Sequence, residues 1–239
     1  MRVSLLLTIT GDGGKLPPLF IFKSKKGGTI EKHLNKYKEV VNHNTIIICN
    51  ENAWCTFDVM KKWLFEIWLP YIKSISSNGN GLIILDMYTS HIKEGFLKLL
   101  DDNNQNYCLI PGGLTHVLQP LDVSINKPVK QRLTQIYCDN CLKLGRNLEK
   151  IKREVIIDWI LQIWKYEQNS INKEMIYMSF KYCGISNSLD GSENSLFKVY
   201  DKIKEEMVNI DEMDEDKDIE EDFDIEKEDS IDSKSEEED

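Results

Sequence analysis

Two aspartates occupy positions from which a chain can aim carboxylates at a bound ligand. Asp86 closes the apolar run Gly81-Leu82-Ile83-Ile84-Leu85, and Asp122 follows Gln119-Pro120-Leu121 just ahead of a long helical pattern. In open α/β sheets the carboxyl ends of strands bind ligands and metals, because the loops there direct side chains into a shared crevice. Each residue also has a plainer reading: Asp86 as a turn former or helix cap, Asp122 as the N-cap of the helix that follows it. Neither residue decides the matter alone. A second chemistry is offered by Lys127, Lys130, Arg132, Lys143, Arg146, Lys150, Lys152 and Arg153, which cluster after Asp122. They form either a face that tracks phosphates or a solvated helix surface, and Tyr137 is the one aromatic interleaved for stacking on that stretch. A third is offered by Cys138-Asp139-Asn140-Cys141, but no second pair of Cys or His stands at zinc-site spacing, so these read as structural thiols in a helix.

The elements that must position these residues follow from periodicity. Residues 3–10 and 19–23 are short runs rich in branched and aromatic side chains, separated by Gly11-Asp12-Gly13-Gly14, and predict a strand pair. Asp12 reads as a turn residue. After a polar segment, 45–49 predicts another strand. Phe57, Met60, Trp63, Leu64, Ile67, Trp68 and Tyr71 then fall at helical spacing, with Thr56 or Asp58 available to cap and Pro70 near the end. Residues 81–85 predict a strand covered on both faces, 92–100 a helix, and 107–110 a buried strand stopped by Pro111-Gly112-Gly113. Strand, helix, strand in that order is an α/β arrangement with parallel pairing. Helices are predicted from 123 to about 144, with Pro128 early, then over 151–164 and 173–182.

Charge divides the 239-residue chain, whose total is 30 Lys+Arg against 40 Asp+Glu. Residues 201–239 hold 21 acids and 5 bases, a net of −16, which leaves residues 1–200 with 19 acids and 25 bases, a net of +6. The acidic character therefore describes a tail, and the part able to fold carries the positive field that phosphate backbones attract. Beyond about residue 204 the sequence is acidic and of low complexity, too poor in apolar residues to offset its ordering entropy, so a disordered tail is expected. No apolar run approaches the roughly 18 to 20 residues of a membrane helix. Arg2 and the apolar stretch after it only loosely imitate a signal peptide, because no small-residue cleavage site follows. Six cysteines without a regular framework read as reduced thiols of the cytosol or nucleus.

Longer segments carry a resemblance. Leu82 to His91 (Leu-Ile-Ile-Leu-Asp-Met-Tyr-Thr-Ser-His) and Ile110 to Lys130 (Ile-Pro-Gly-Gly-Leu-Thr-His-Val-Leu-Gln-Pro-Leu-Asp-Val-Ser-Ile-Asn-Lys-Pro-Val-Lys) resemble the catalytic core of the pogo/Tigger branch of the DDE superfamily endonucleases, the transposases and their domesticated descendants. The likeness extends upstream through Gly13 to Lys23 and Asn52-Ala53-Trp54, and downstream through Ser179 to Gly191, covering roughly residues 2–200.

The resemblance implies an α/β, ribonuclease H-like fold in which three carboxylates hold two divalent ions, Mg²⁺ or Mn²⁺, that bracket a phosphodiester about 3.5 to 4 Å apart. Asp86 would be the second carboxylate and Asp122 the third, within about 4 to 8 Å of each other, the reach of one hydrated ion. His91 matches the family's His and would support the site; by itself it reads as a structural or capping residue. The family's first catalytic Asp lies on a strand ahead of the one beginning at Val3, so the sequence implies a core without its first strand, a metal site with two ligands of three, and weak ion binding. Glu51 and Asp58 read as caps or solvated charges and are weak substitutes.

The resemblance further implies residues 1–145 as a partial endonuclease core, 146–200 as a helical extension and 201–239 as the tail. The expected function is that of a transposase-derived, nucleic-acid-binding protein of the nucleus, catalytically impaired. It would contact DNA through Lys127, Lys130 and Arg132, with a basic protein as a further candidate partner of the tail. Two alternatives stay open: an active metal-dependent strand-transfer enzyme whose gene model is truncated, and a domesticated, non-catalytic interaction module.

Overall fold

The computed structural model describes residues 2–41, 45–88, 94–144, 151–165 and 171–199. All of the described residues belong to one compact unit, Met1–Tyr200. The tail, and with it the expectation of disorder, lies outside the described residues.

The predicted strand pair is present as β1 (Val3–Leu6) antiparallel to β2 (Leu19–Lys23), with Val3 opposite Phe22 and Leu6 opposite Leu19. β1 is shorter than the expected 3–10, and its continuation touches the returning chain through a bridge between Ile9 and Lys15. The turn is held by Asp12, whose carboxylate accepts from the Thr10 hydroxyl and the Gly14 amide; the Thr10 bond chiefly, with Gly14 and the nearby Lys173 charge, lowers its pKa. β3 (Ile46–Asn50) runs parallel to the other side of β2, with Leu19 beside Ile46 and Lys23 beside Asn50.

β2 is apolar at four successive positions because both of its faces are covered. Leu19 and Ile21 pack with Met60, Trp63 and Leu64, whereas Phe20 and Phe22, stacked 6.2 Å apart, pack with Leu34, Ile157 and Ile160. Leu34 belongs to α1 (Thr29–Val41), a helix in what reads as merely a polar segment. Among its described side chains the apolar stripe is Ile30, Leu34 and Tyr37, one residue per turn, too narrow to stand out among the lysines. It is fastened to a later helix by His33 bonding Glu154 and by the Tyr37 hydroxyl donating to Asp158.

The predicted amphipathic helix is continuous but not uniform: α2 (Phe57–Trp63), a π-helical turn (Leu64–Trp68), then α3 (Leu69–Ile75). Pro70, expected near the end, lies early in α3, and the wide turn before it places the bond from the Leu69 amide on Leu64. A proline lacks the N–H that a regular helix needs at that point, and a π turn is a common way to absorb the irregularity. Thr56 is the N-cap residue by position, yet its side chain makes no capping bond.

β4 (Leu82–Asp86) and β5 (Asn106–Ile110) form a separate two-stranded parallel sheet, joined by α4 (Glu94–Asp102), whose Phe96 and Leu100 are fully buried. Neither strand is covered on both faces as expected. Ile83 and Leu85 are buried but Leu82 is 59% exposed, and in β5 Ile110 alone is buried. The small sheet is tied to the π turn through Gln105, which accepts from Trp68 Nε1 at 2.8 Å and donates to the Gly79 and Asn103 carbonyls.

Among the described residues four further α-helices follow: α5 (Thr115–Leu118), α6 (Asn126–Leu144), α7 (Arg153–Trp164) and α8 (Lys173–Tyr182), with a π-helical turn, Leu121–Ile125, leading into α6. Ile125, Val129, Ile163, Trp164 and Ile176 gather around Leu7 in a second cluster. No helix among the described residues is long and apolar enough to cross a membrane.

Candidate functional site

Parallel pairing places Asp86, the last residue of β4, beside Ile110, the last of β5. From Ile110 the chain turns through bonds of the Leu114 amide to Pro111 O (3.2 Å) and of the Leu118 amide to Leu114 O (2.8 Å). The short α5 then returns it to the end of β4, where Gln119 Nε2 donates to Asp86 Oδ2 at 3.4 Å. The other oxygen of Asp86 accepts from the Tyr88 amide at 3.2 Å. Asp86 is half-buried, and with Gln119, Pro120 and Leu121 it borders one cavity.

Asp122 lies three residues beyond Gln119 in the first turn of the π-helical segment. It is not the N-cap, a position taken by Pro120. Its carboxylate is exposed and accepts from Asn126 Nδ2 at 2.7 Å, the neighbour one helical turn on. Both aspartates are thus held by amide groups, which orient a carboxylate without neutralising it. Asn126 is findable from i,i+4 spacing; Gln119 is not, because its partner is 33 residues away and only the fold brings the two together.

The donor set suits a hard divalent ion in kind, since it consists of carboxylate and amide oxygens. In number it falls short. No three of His, Cys, Asp and Glu converge among the described residues, so none of Asp12, Glu51 and Asp58 completes a cluster with Asp86. His91 lies outside the described residues.

Lys127, Lys130 and Arg132 are exposed on the first half of α6, five to ten positions after Asp122, while Val129 and Leu133 of the same helix turn into the core. Arg146 and Lys150 lie outside the described residues. Cys138 and Cys141 fall on α6 as expected, both free. Near the end of β3, Trp54 is 52% exposed on a backbone pinned by Asn50, whose side chain accepts from the Trp54 amide and donates to its carbonyl.

Comparison with known proteins follows the same residues. A family model described as DDE superfamily endonuclease matches residues 1–180. The human "Pogo transposable element with KRAB domain" is 28% identical over 206 residues, 83% of this chain and 31% of that protein, and its mouse counterpart is 28% identical over 213 residues, 86% and 33%. The human "Pogo transposable element with ZNF domain" is 21% identical over 87% of this chain and 14% of its own length. The chain therefore spans about a third of the length of the first two relatives. No solved structure matches it. Because the family model covers the strands that carry Asp86 and the turn that carries Asp122, the chain belongs to the DDE superfamily endonuclease family.

Proposed function

We propose that this chain is a transposase-derived, nucleic-acid-binding protein of the nucleus, built on a ribonuclease H-like core, and that as it stands it does not cut DNA. The observation that carries the reading is the bond from Gln119 to Asp86, which ties the segment leading to Asp122 to the carboxyl end of β4. That bond supports a reading in which two carboxylates 36 positions apart in sequence serve one site. In this reading Asp86 and Asp122 are the metal-facing pair, His91 supports them, and Lys127, Lys130 and Arg132 take the DNA backbone.

Catalytic impairment follows from electrostatics. Two divalent ions carry four positive charges, and two carboxylates with one phosphodiester offset too little of that to hold both ions in line with the scissile bond. Mg²⁺ or Mn²⁺ would bind weakly at Asp86 and Asp122.

The test uses the purified full chain with supercoiled DNA and Mn²⁺. The expected result is binding without nicking above background. Replacing Lys127, Lys130 and Arg132 with Gln should weaken binding across all sequences and lower the slope of log affinity against log salt by about 0.9 for each phosphate no longer neutralised. Mn²⁺-dependent nicking abolished by Asp86→Ala would overturn the impairment and mean that another acid, Glu51 being the first to examine, completes the site. An unchanged salt slope would remove α6 as the DNA face.

A further inference from the structure

The carboxyl ends of β2 and β3 meet at a corner that combines an exposed aromatic ring with cations. Trp54 follows β3, and its backbone is held twice by the Asn50 side chain, which accepts from the Trp54 amide at 3.2 Å and donates to the Trp54 carbonyl at 2.8 Å. Asn50 is the register partner of Lys23, and its own carbonyl accepts from the Ser24 amide at 2.9 Å. The chain leaving β2 therefore starts beside the clamp on Trp54, and it carries Lys23, Lys25 and Lys26, all exposed. Arg2, also exposed, is tied to the same corner by its carbonyl, which accepts from the Lys23 amide at 3.0 Å. None of these residues borders the cavity that holds Asp86, and none lies on α6.

The backbone around Trp54 is specialised. Ala53 is fully buried yet has φ +54°, a left-handed conformation that side chains other than those of Asn and Asp rarely adopt. Strain of that kind persists where the surroundings over-determine it, here through the packing of Ala53 in the core and the Asn50 clamp one residue on. Ala53 thus enters the core while the much larger side chain after it stays 52% exposed. Trp63, Trp68 and Trp164 by contrast are buried.

We propose that this corner binds single-stranded DNA, with Trp54 stacking on an unpaired base and Arg2, Lys23, Lys25 and Lys26 taking the phosphates beside it. The inference rests on the nucleic-acid-binding function proposed above, to which it adds a strand state and a second face. An aromatic platform within a cationic track suits a single strand, because every unpaired base offers a π-face whereas a duplex keeps those faces in its own stack. Other occupants match only half of the corner. An apolar protein surface would cover the indole but desolvate the lysines, a residue type depleted at such interfaces. An acidic peptide would answer the lysines and leave the indole in water. Of the two acids here, Glu31 accepts from the Gly27 amide and Glu51 is exposed, so four cations face two carboxylates.

The test measures binding of the full chain to oligo(dT) of about 15 nucleotides, the reach of one such site, and to a duplex of equal length. Tryptophan emission is followed alongside, since Trp54 is the most exposed of the five. Trp54→Ala should weaken oligo(dT) binding by about fivefold or more and abolish the quenching, Trp54→Phe should keep most of the affinity, and neither should change duplex affinity. Replacing Lys23, Lys25 and Lys26 with Gln should lower the salt slope for oligo(dT) by about 0.7 for each phosphate released. That variant, at three exposed positions, carries the test if Trp54→Ala lowers Tm. Oligo(dT) affinity unchanged by both variants, or an equal loss on duplex and single strand, would overturn the proposal and leave the proposed function standing. Binding of neither DNA would overturn both. Tighter binding of oligo(rU) than of oligo(dT) would overturn the assignment to DNA and give the corner to RNA.

Discussion

Asp86 and Asp122 differ in what surrounds them more than in what they are. Asp86 is half-buried and bonded by a backbone amide and by Gln119, while Asp122 is exposed and bonded by Asn126 alone. Ionisation elsewhere carries a sharper consequence. Burial pushes the thiol of Cys183 up to about 12 and that of Cys49 to about 11, the latter helped by the Glu31 charge. A thiol that titrates near 8.5 when unfolded holds its proton longer in the folded chain, so this contribution to stability is complete below about pH 8.5 and is lost as pH rises toward the folded values. Lys15 acts oppositely. Burial against Trp164 lowers its ammonium to about 8, which favours the folded chain as pH rises from there toward its unfolded value of 10.5. Two buried thiols outweigh one half-buried amine, so Tm should fall between pH 8 and 10, and a Cys49→Ala, Cys183→Ala double variant should show a flatter profile. A Tm that holds or rises over that interval in the parent chain would contradict this balance.

At the scale of elements, close approach of backbone to side chain sets the tolerance for change. Gly81 opens β4 where an added Cβ would lie 2.6 Å from the Trp68 ring and 2.9 Å from Ile72 Cδ1. Gly81→Ala should therefore cost about 1–3 kcal/mol in urea unfolding with an unchanged m-value, because the added methyl overlaps the Trp68 ring and the Ile72 side chain, which must shift to admit it. Gly13 is more demanding, with φ +89° and an added Cβ 2.6 Å from the Lys173 carbonyl oxygen. Packing of this kind also decides what could be read in the sequence. α8 and the long helix through Trp63 and Trp68 are legible because apolar spacing follows the helical period, and β2 because it is an unbroken run of aromatic and branched residues. α1 is not, since a helix whose described inward residues are Ile30, Leu34 and Tyr37 leaves little periodic signal. The 81–85 run misleads for the opposite reason. Its apolar residues suggest a strand covered on both faces, but the strand borders a cavity on one edge and leaves Leu82 in solvent. Of the site, Asp86 and Asp122 stand out by position, whereas Gln119 becomes visible only when β5 and its turn are folded back.

Across the whole molecule the dominant feature is the opposition of charge, −16 on residues 201–239 against +6 on residues 1–200. If the basic face of α6 takes DNA phosphates, the tail is its nearest competitor, since tethering gives the tail an effective concentration of order millimolar. The folded part should therefore bind DNA more tightly without its tail. Screening decides where the difference is measurable, because the Debye length is about 8 to 10 Å near physiological salt and longer below it. DNA binding itself weakens with salt through counterion release, so the comparison must be made at matched ionic strength. Affinities of the full chain and of a chain ending at Tyr200, measured at about 50 and 200 mM salt, should differ severalfold at the lower value and converge at the higher. Equal affinities at 50 mM would refute autoinhibition and leave the tail a role in solubility or in binding a basic protein. A difference that persists unchanged at 200 mM would point instead to a specific, weakly screened contact between tail and core.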